Sequence, residues 1–315
     1  MRSRTFAAVV AAAVLLTTGC DDRSTPEKAT LETTASSAAT DVTPSPTPPR
    51  DAQPIPGPGA PIASDPDDLT EEIATVERTI RRRVREYIES GARPGSAEGD
   101  ELELFALYQQ RIFRKLTKNE RLEKAVLARL EGKVRKFYAG TIAAQEALAS
   151  ITGTSKKVPR FEFAKAETPH RLRRYFEEGE RRFRIPWHML AAVMFVESKF
   201  GKVLGPSVAG ALGPMQFLPS TWDAYGGGGG IMDPHDSVIG AARYLNASGG
   251  PERMRDALFA YNPTEPYVNA IQIYARQIKR DEENFYMYYF WQVFVSTEKE
   301  GDVQLTGPGT RRDLT

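Results

Sequence analysis

The chain has 315 residues, room for two modest domains, and a formal net charge of +1, which offers no electrostatic footprint for a nucleic-acid partner. Its single cysteine, Cys20, excludes an internal disulfide. The histidines His170, His188 and His235 share metal-ligand spacing neither with one another nor with a carboxylate pair, so no metal is expected. No phosphate-binding loop or Ser-His-Asp arrangement stands out either, and no cofactor is expected.

Residues 1–20 read as a lipoprotein signal peptide. Arg2 and Arg4 form a basic start, and Phe6 to Leu16 is an apolar run too short to span a bilayer. Thr17-Thr18-Gly19-Cys20 resembles a lipobox, with Thr17 where that pattern prefers leucine and Leu16 one place earlier. Acylation of Cys20 would anchor the chain, since each buried methylene adds about 0.8 kcal/mol and two chains hold stably. The alternative is ordinary signal cleavage with an incidental thiol. Residues 21–66, rich in Pro, Ser and Thr with scarcely an apolar anchor, read as a disordered linker.

Residues 67–152 read as a helical module. Leu69, Ile73, Val76, Ile80, Val84 and Ile88 recur at three- and four-residue steps. A second helix is expected from about Asp100 to Leu116. A third is expected to start at the capping box Thr117-Lys118-Asn119-Glu120 and run to about Ile151. A helical hairpin or three-helix bundle follows.

Residues 160–282 read as a compact, mainly helical domain. Thr168-Pro169 opens one helix, to Phe183. Pro186 opens the next, with Leu190, Val193, Met194 and Glu197 at helical spacing and Gly201 as the stop. A carboxylate at the end of an apolar stripe has its ionised form disfavoured by burial and by the negative end of the helix dipole. That combination makes a glutamic acid a proton donor near neutral pH. Gly201 to Gly213 is a loop of small residues, and Met215-Gln216-Phe217 offers an amide between apolar contacts, as a sugar ring requires. Ser220 to Asp223 reads as a capping box, Gly226 to Gly230 as a flexible loop, and Asp233-Pro234-His235-Asp236 as a helix start whose aspartates are caps. Tyr261 comes where a helix stops at Asn262-Pro263, leaving its phenol free to enter a cleft. Within residues 283–315, Phe285 to Val295 reads as a strand, followed by a hairpin turn at Gly301-Asp302 and a polar tail.

Glu197-Ser198, Gly210-Ala211-Leu212-Gly213-Pro214-Met215-Gln216-Phe217, Pro219-Ser220-Thr221-Trp222 and Ala260-Tyr261-Asn262-Pro263, in this order, resemble the catalytic domain of lytic transglycosylases. The likeness covers about Thr168 to Arg280 and is nearest the membrane-bound lytic murein transglycosylase B-like branch. It implies a mainly α, lysozyme-like catalytic domain of goose type, here preceded by the helical module and followed by a small β-hairpin. It also implies peptidoglycan glycan strands as substrate and Glu197 as the single catalytic acid and base. Ser198, Met215, Gln216, Tyr261 and Asn262 would be substrate-binding, with Tyr261 beside Glu197. In the implied reaction the acetamido oxygen of N-acetylmuramic acid attacks its own anomeric carbon, and a 1,6-anhydro ring then closes without water. A muramidase-type hydrolase on the same fold, or a non-catalytic wall-binding lipoprotein, are the rival readings. The expected location is outside the cell membrane, lipid-anchored and facing the wall.

Overall fold

The computed structural model describes residues 54–158 and 161–310. The signal peptide, Cys20, most of the linker and the last residues of the tail lie outside the described residues. Within them the chain is mainly helical, with two small antiparallel strand pairs. No helix among the described residues is long and apolar enough to cross a membrane.

Helix α1 (Pro66–Ser90) starts where the Asp65 carboxylate accepts from the amides of Asp67 and Asp68, and it stops at left-handed Gly91. Leu69, Ile73, Val76, Ile80 and Val84 are fully buried, as the periodicity predicts, and Tyr87 rather than Ile88 ends the stripe. Helix α2 (Ala97–Thr117), capped by Ser96, is buried on nearly every side. Part of its cover comes from residues expected in the linker. Arg111 donates to the carbonyls of Pro58 and Ala60, Lys115 to that of Ile62, and the Tyr108 hydroxyl to that of Pro61. The disordered linker therefore does not extend to residue 66. From Pro54 the chain lies as a strap on α2, because prolines with little local structure of their own leave carbonyls free for these long donors.

The expected third helix is two helices. α3 (Glu120–Arg129) is capped by Asn119, not Thr117, and α4 (Gly132–Thr152) follows after extended Leu130. The break buries Leu130, and Gly132 takes a positive φ of 55°. Gly140 then lets α4 lie close along the later helix α10: a methyl there would stand 3.0 Å from the Gln277 amide.

Strand β1 (Glu162–Phe163) pairs with β2 (Val203–Gly205), and between them run α5 (Pro169–Phe183) and α6 (Trp187–Ser198). Pro186 is the N-cap of α6 rather than its first residue. Residues Met189 to Phe195 are all buried, so α6 is the central helix of the domain instead of an amphipathic one. Helices α7 (Pro219–Tyr225), α8 (Pro234–Ala247), α9 (Met254–Tyr261) and α10 (Glu265–Arg280) follow, and α5, α8 and α10 pack directly against α6. Helix α7 begins at Pro219 without a side-chain cap, so the expected Ser220 box does not form; proline's fixed φ starts it one residue earlier. Asp233 caps α8 as expected. The glycine run is held down: Gly229 accepts from the Trp222 indole and Gly230 donates to Asp236.

The strand expected over 285–295 is confined to its last two residues; before them stand a helix, α11 (Glu283–Tyr289), and a buried turn. Phe285 to Trp291 are all buried, wedged among α1, α2, α6 and α10, and a run apolar on every side carries no period by which to tell helix from strand. The hairpin does form, from β3 (Phe294–Thr297) and β4 (Gly301–Gln304). The N-terminal helices share one buried core with the domain that follows them. Gln110 exchanges hydrogen bonds with the Gln292 backbone, Trp291 donates to Gln109, and Gln277 donates to the Phe137 carbonyl. From the loop after α6, Lys202 reaches the carbonyls of Tyr289 and Trp291, and burial draws its ammonium down to about 8.

Candidate active site

Glu197 lies in the last turn of α6, 3 % exposed. The helix does not simply end at Gly201. Lys199, Phe200 and Gly201 all take left-handed conformations, with φ of 52°, 61° and 85°. Non-glycine residues hold such angles only where surrounding structure enforces them. Here Ser198 enforces them: its hydroxyl accepts from the Gly201 amide at 2.8 Å and donates to the Pro214 carbonyl, tying the helix end to the next loop.

One Glu197 oxygen accepts from the Tyr267 hydroxyl at 2.6 Å, and the other is buried with no partner. Burial pushes the carboxyl up to about 7, against the downward pull of the Tyr267 hydrogen bond and the Lys199 charge. The group is therefore poised to give a proton and to take it back near neutral pH.

A cleft of about 400 Å³ opens beside it. The end of α6 supplies Glu197, Ser198 and Lys199; the N-terminal helices supply Gln110, Arg114 and Glu146; the final hairpin supplies Phe294 to Ser296. Glu146, on the exposed side of α4, is the other carboxylate of its lining. Most of this wall thus comes from outside the stretch expected to be catalytic.

Met215, Gln216, Tyr261 and Asn262 are absent from that lining and form a buried frame behind Glu197. Met215 is core, and it is its carbonyl that matters: the Tyr261 hydroxyl donates to it at 2.6 Å. The phenol expected to be free is therefore engaged. Tyr261 is close enough for the Glu197 charge to help burial raise its pKa, but the hydroxyl that orients Glu197 belongs to Tyr267. Gln216 turns inward at φ 49° and donates to the Gly213 carbonyl, leaving its own oxygen unpartnered. Asn262 accepts from Thr264 and leaves its amide nitrogen unpartnered. Gly213, at φ 75°, admits no side chain, since a methyl there would stand 2.0 Å from the Ile231 carbonyl.

Tyr267 was not among the residues expected at the site. The available signal was a tyrosine where phenylalanine would pack as well: a buried hydroxyl needs a partner. Outside the lining of the cleft, Asp233, His235 and Asp236 bring ligating atoms within 4.8 Å of one another. Their contacts are structural. Asp233 caps the Asp236 amide, and His235 bridges Asp236 and Glu178; those bonds outweigh burial and hold His235 above its ordinary value.

Residues 174–283 match the family model of the transglycosylase SLT domain, a stretch that holds Glu197, Gln216, Tyr261 and Tyr267. Members of that family are lytic transglycosylases, which act on peptidoglycan. No curated protein and no solved structure matches the chain.

Proposed function

We propose that this protein cleaves the β-1,4 bond between N-acetylmuramic acid and N-acetylglucosamine in peptidoglycan without water, leaving 1,6-anhydro ends. Glu197 is its single acid and base. The observation that supports this reading is a glutamic acid 3 % exposed, raised to about 7, oriented by Tyr267 and set on the wall of a cleft.

The chemistry follows from that environment. Protonated, Glu197 gives its proton to the leaving glycosidic oxygen while the sugar's acetamido oxygen closes on the anomeric carbon. Ionised, it takes the proton of the 6-hydroxyl, whose oxygen then displaces the acetamido group. Tyr267 steadies the carboxylate between the steps, since a hydrogen bond to the charged form favours it. The buried frame of Ser198, Met215, Gln216, Tyr261 and Asn262 keeps the carboxyl and the loop in register.

The same reading makes the chain an exported lipoprotein held through acylated Cys20 and working on the wall from the membrane's outer face. The order of its motifs supports a place near the membrane-bound lytic murein transglycosylase B-like branch. Mass spectrometry of digested sacculi tests the reaction. Products lighter by one water than the reducing muropeptides are expected; reducing products would make the protein a muramidase instead. Labelling with a fatty-acid analogue tests the anchor, with the label expected on the wild type and absent from Cys20→Ser.

A further inference from the structure

The cleft holds a charge that proton transfer does not use. Lys199 lines it, one residue beyond Ser198 and in the left-handed conformation. Its ammonium lies 4.2 Å from the centre of the Phe195 ring and donates to the Phe195 carbonyl at 3.2 Å. An ammonium has three donors, and no carboxylate among the described residues stands within ion-pair distance of this one.

The neighbouring cations differ. Arg114 and Lys118 share Asp302 of the hairpin, and Arg114 also touches Ser296. The cleft lining therefore carries Arg114, Lys118 and Lys199 with Glu146 and a Glu197 that is half-protonated near neutral pH, and Asp302, outside the lining, takes up only Arg114 and Lys118. Burial, reinforced by Arg114 and opposed by Glu197, draws Lys199 down to about 8, so it keeps its charge at neutrality without an anion of its own. A strained backbone that sets an unpaired cation on the wall of a cleft marks a place where a ligand supplies the counter-charge.

We propose that the part of the cleft between the end of α6 and the α2–α4–β3 wall is a subsite for a carboxylate carried by the glycan strand, with Lys199 as its counter-ion. The proposal rests on the glycan-cleaving reading above. Two parts of peptidoglycan carry such a group: the lactyl ether of muramic acid when no peptide is attached, and the peptide stem when one is. The ligand group is the same in both, and Glu197 is near enough for the subsite to hold the muramic residue in place during cleavage.

Binding to Glu197→Gln protein, which cannot turn over, tests this. The ligands are a tetrasaccharide of alternating N-acetylglucosamine and N-acetylmuramic acid, the same with peptide stems, and each with its carboxylates converted to methylamides. Conversion is expected to weaken binding about tenfold, the scale of a charged hydrogen bond. Adding Lys199→Met should erase the difference, and Lys199→Arg should keep it. With Lys199 intact, raised salt should weaken only the carboxylate ligands, which tests the idea even if Lys199→Met fails to fold. A difference with the bare tetrasaccharide assigns the lactyl group; one confined to the peptide-bearing ligand assigns the stem. Equal binding of carboxylate and methylamide, or a difference that survives Lys199→Met, overturns the subsite. If wild-type protein still releases anhydro products, the functional reading stands without it. If wild-type protein releases nothing and no ligand binds, both fall.

Discussion

Two glutamic acids in this protein are equally buried and stand in different surroundings. Glu77 on α1 is 2 % exposed and Glu197 on α6 is 3 % exposed. Burial raises the pKa of both, and each keeps one oxygen without a hydrogen-bond partner. Glu77 is enclosed: it accepts from Gln109, whose amide also meets the Met287 sulfur at 2.9 Å, and it lies 3.8 Å from Arg81. Glu197 has a single protein partner on a neighbouring helix and lines a cleft. A raised carboxyl pKa is therefore a property of burial. Function comes from what can reach the proton.

Substituting both residues separates the two cases most widely. Glu197→Gln should reduce release of muropeptides from sacculi by about 10³-fold, the range of a lost acid–base group, while Glu77→Gln should leave release near wild type. Comparable losses would mean that the cleft is not where cleavage occurs.

Stability against pH sharpens the contrast. The carboxyl of Glu197 rises from 4.5 in the unfolded chain to about 7 in the fold, so the folded state binds the extra proton between those values. Stability from this group is full below pH 4.5 and falls as pH rises through 7, by about 3 kcal/mol. Glu197→Gln removes that penalty, so at pH 8 the variant should melt higher than wild type and at pH 4 no higher. A variant that is inactive yet more stable is the signature of a site that trades stability for chemistry.

Tyr267→Phe tests the partner. Without its hydroxyl Glu197 loses a pull toward the ionised form. Turnover should fall about tenfold, the scale of a hydrogen bond to a charged group, and the alkaline limb of the pH–rate profile should move to higher pH. A limb that stays in place would remove Tyr267 from the site. The smallest effect belongs to a group outside the site: Asp233→Ala should cost about 1 kcal/mol of stability through its cap and leave turnover unchanged.

Much of this was legible in the sequence for local reasons. The cap at Asp233, and the prolines at the starts of α5 and α8, mark boundaries with chemistry confined to a few residues. Glu197 was legible because its neighbours are apolar and its motif is contiguous. Tyr267 was not, because its bond to Glu197 spans 70 positions and its helix spacing alone says core. Lys199 was hidden by Gly201, a stop signal so natural that the two left-handed residues before it went unsuspected. The aromatic run before the hairpin was misread because a segment buried on all sides has no polar face to betray its period. The cleft was the least legible part, since α2, α4 and β3 meet α6 only in the folded chain.

Lys202 carries a practical consequence for anyone who would trim this protein. Its ammonium, from the loop after α6, is held by main-chain oxygens at Tyr289 and Trp291, beyond the last residue of the family match. A fragment bounded by residues 174 and 283 would lose those oxygens and the apolar cover around them, and would open to water the core shared with the N-terminal helices and the aromatic turn. The recognisable domain is thus smaller than the buried core it belongs to, which takes in the helices before it and the aromatic turn after it.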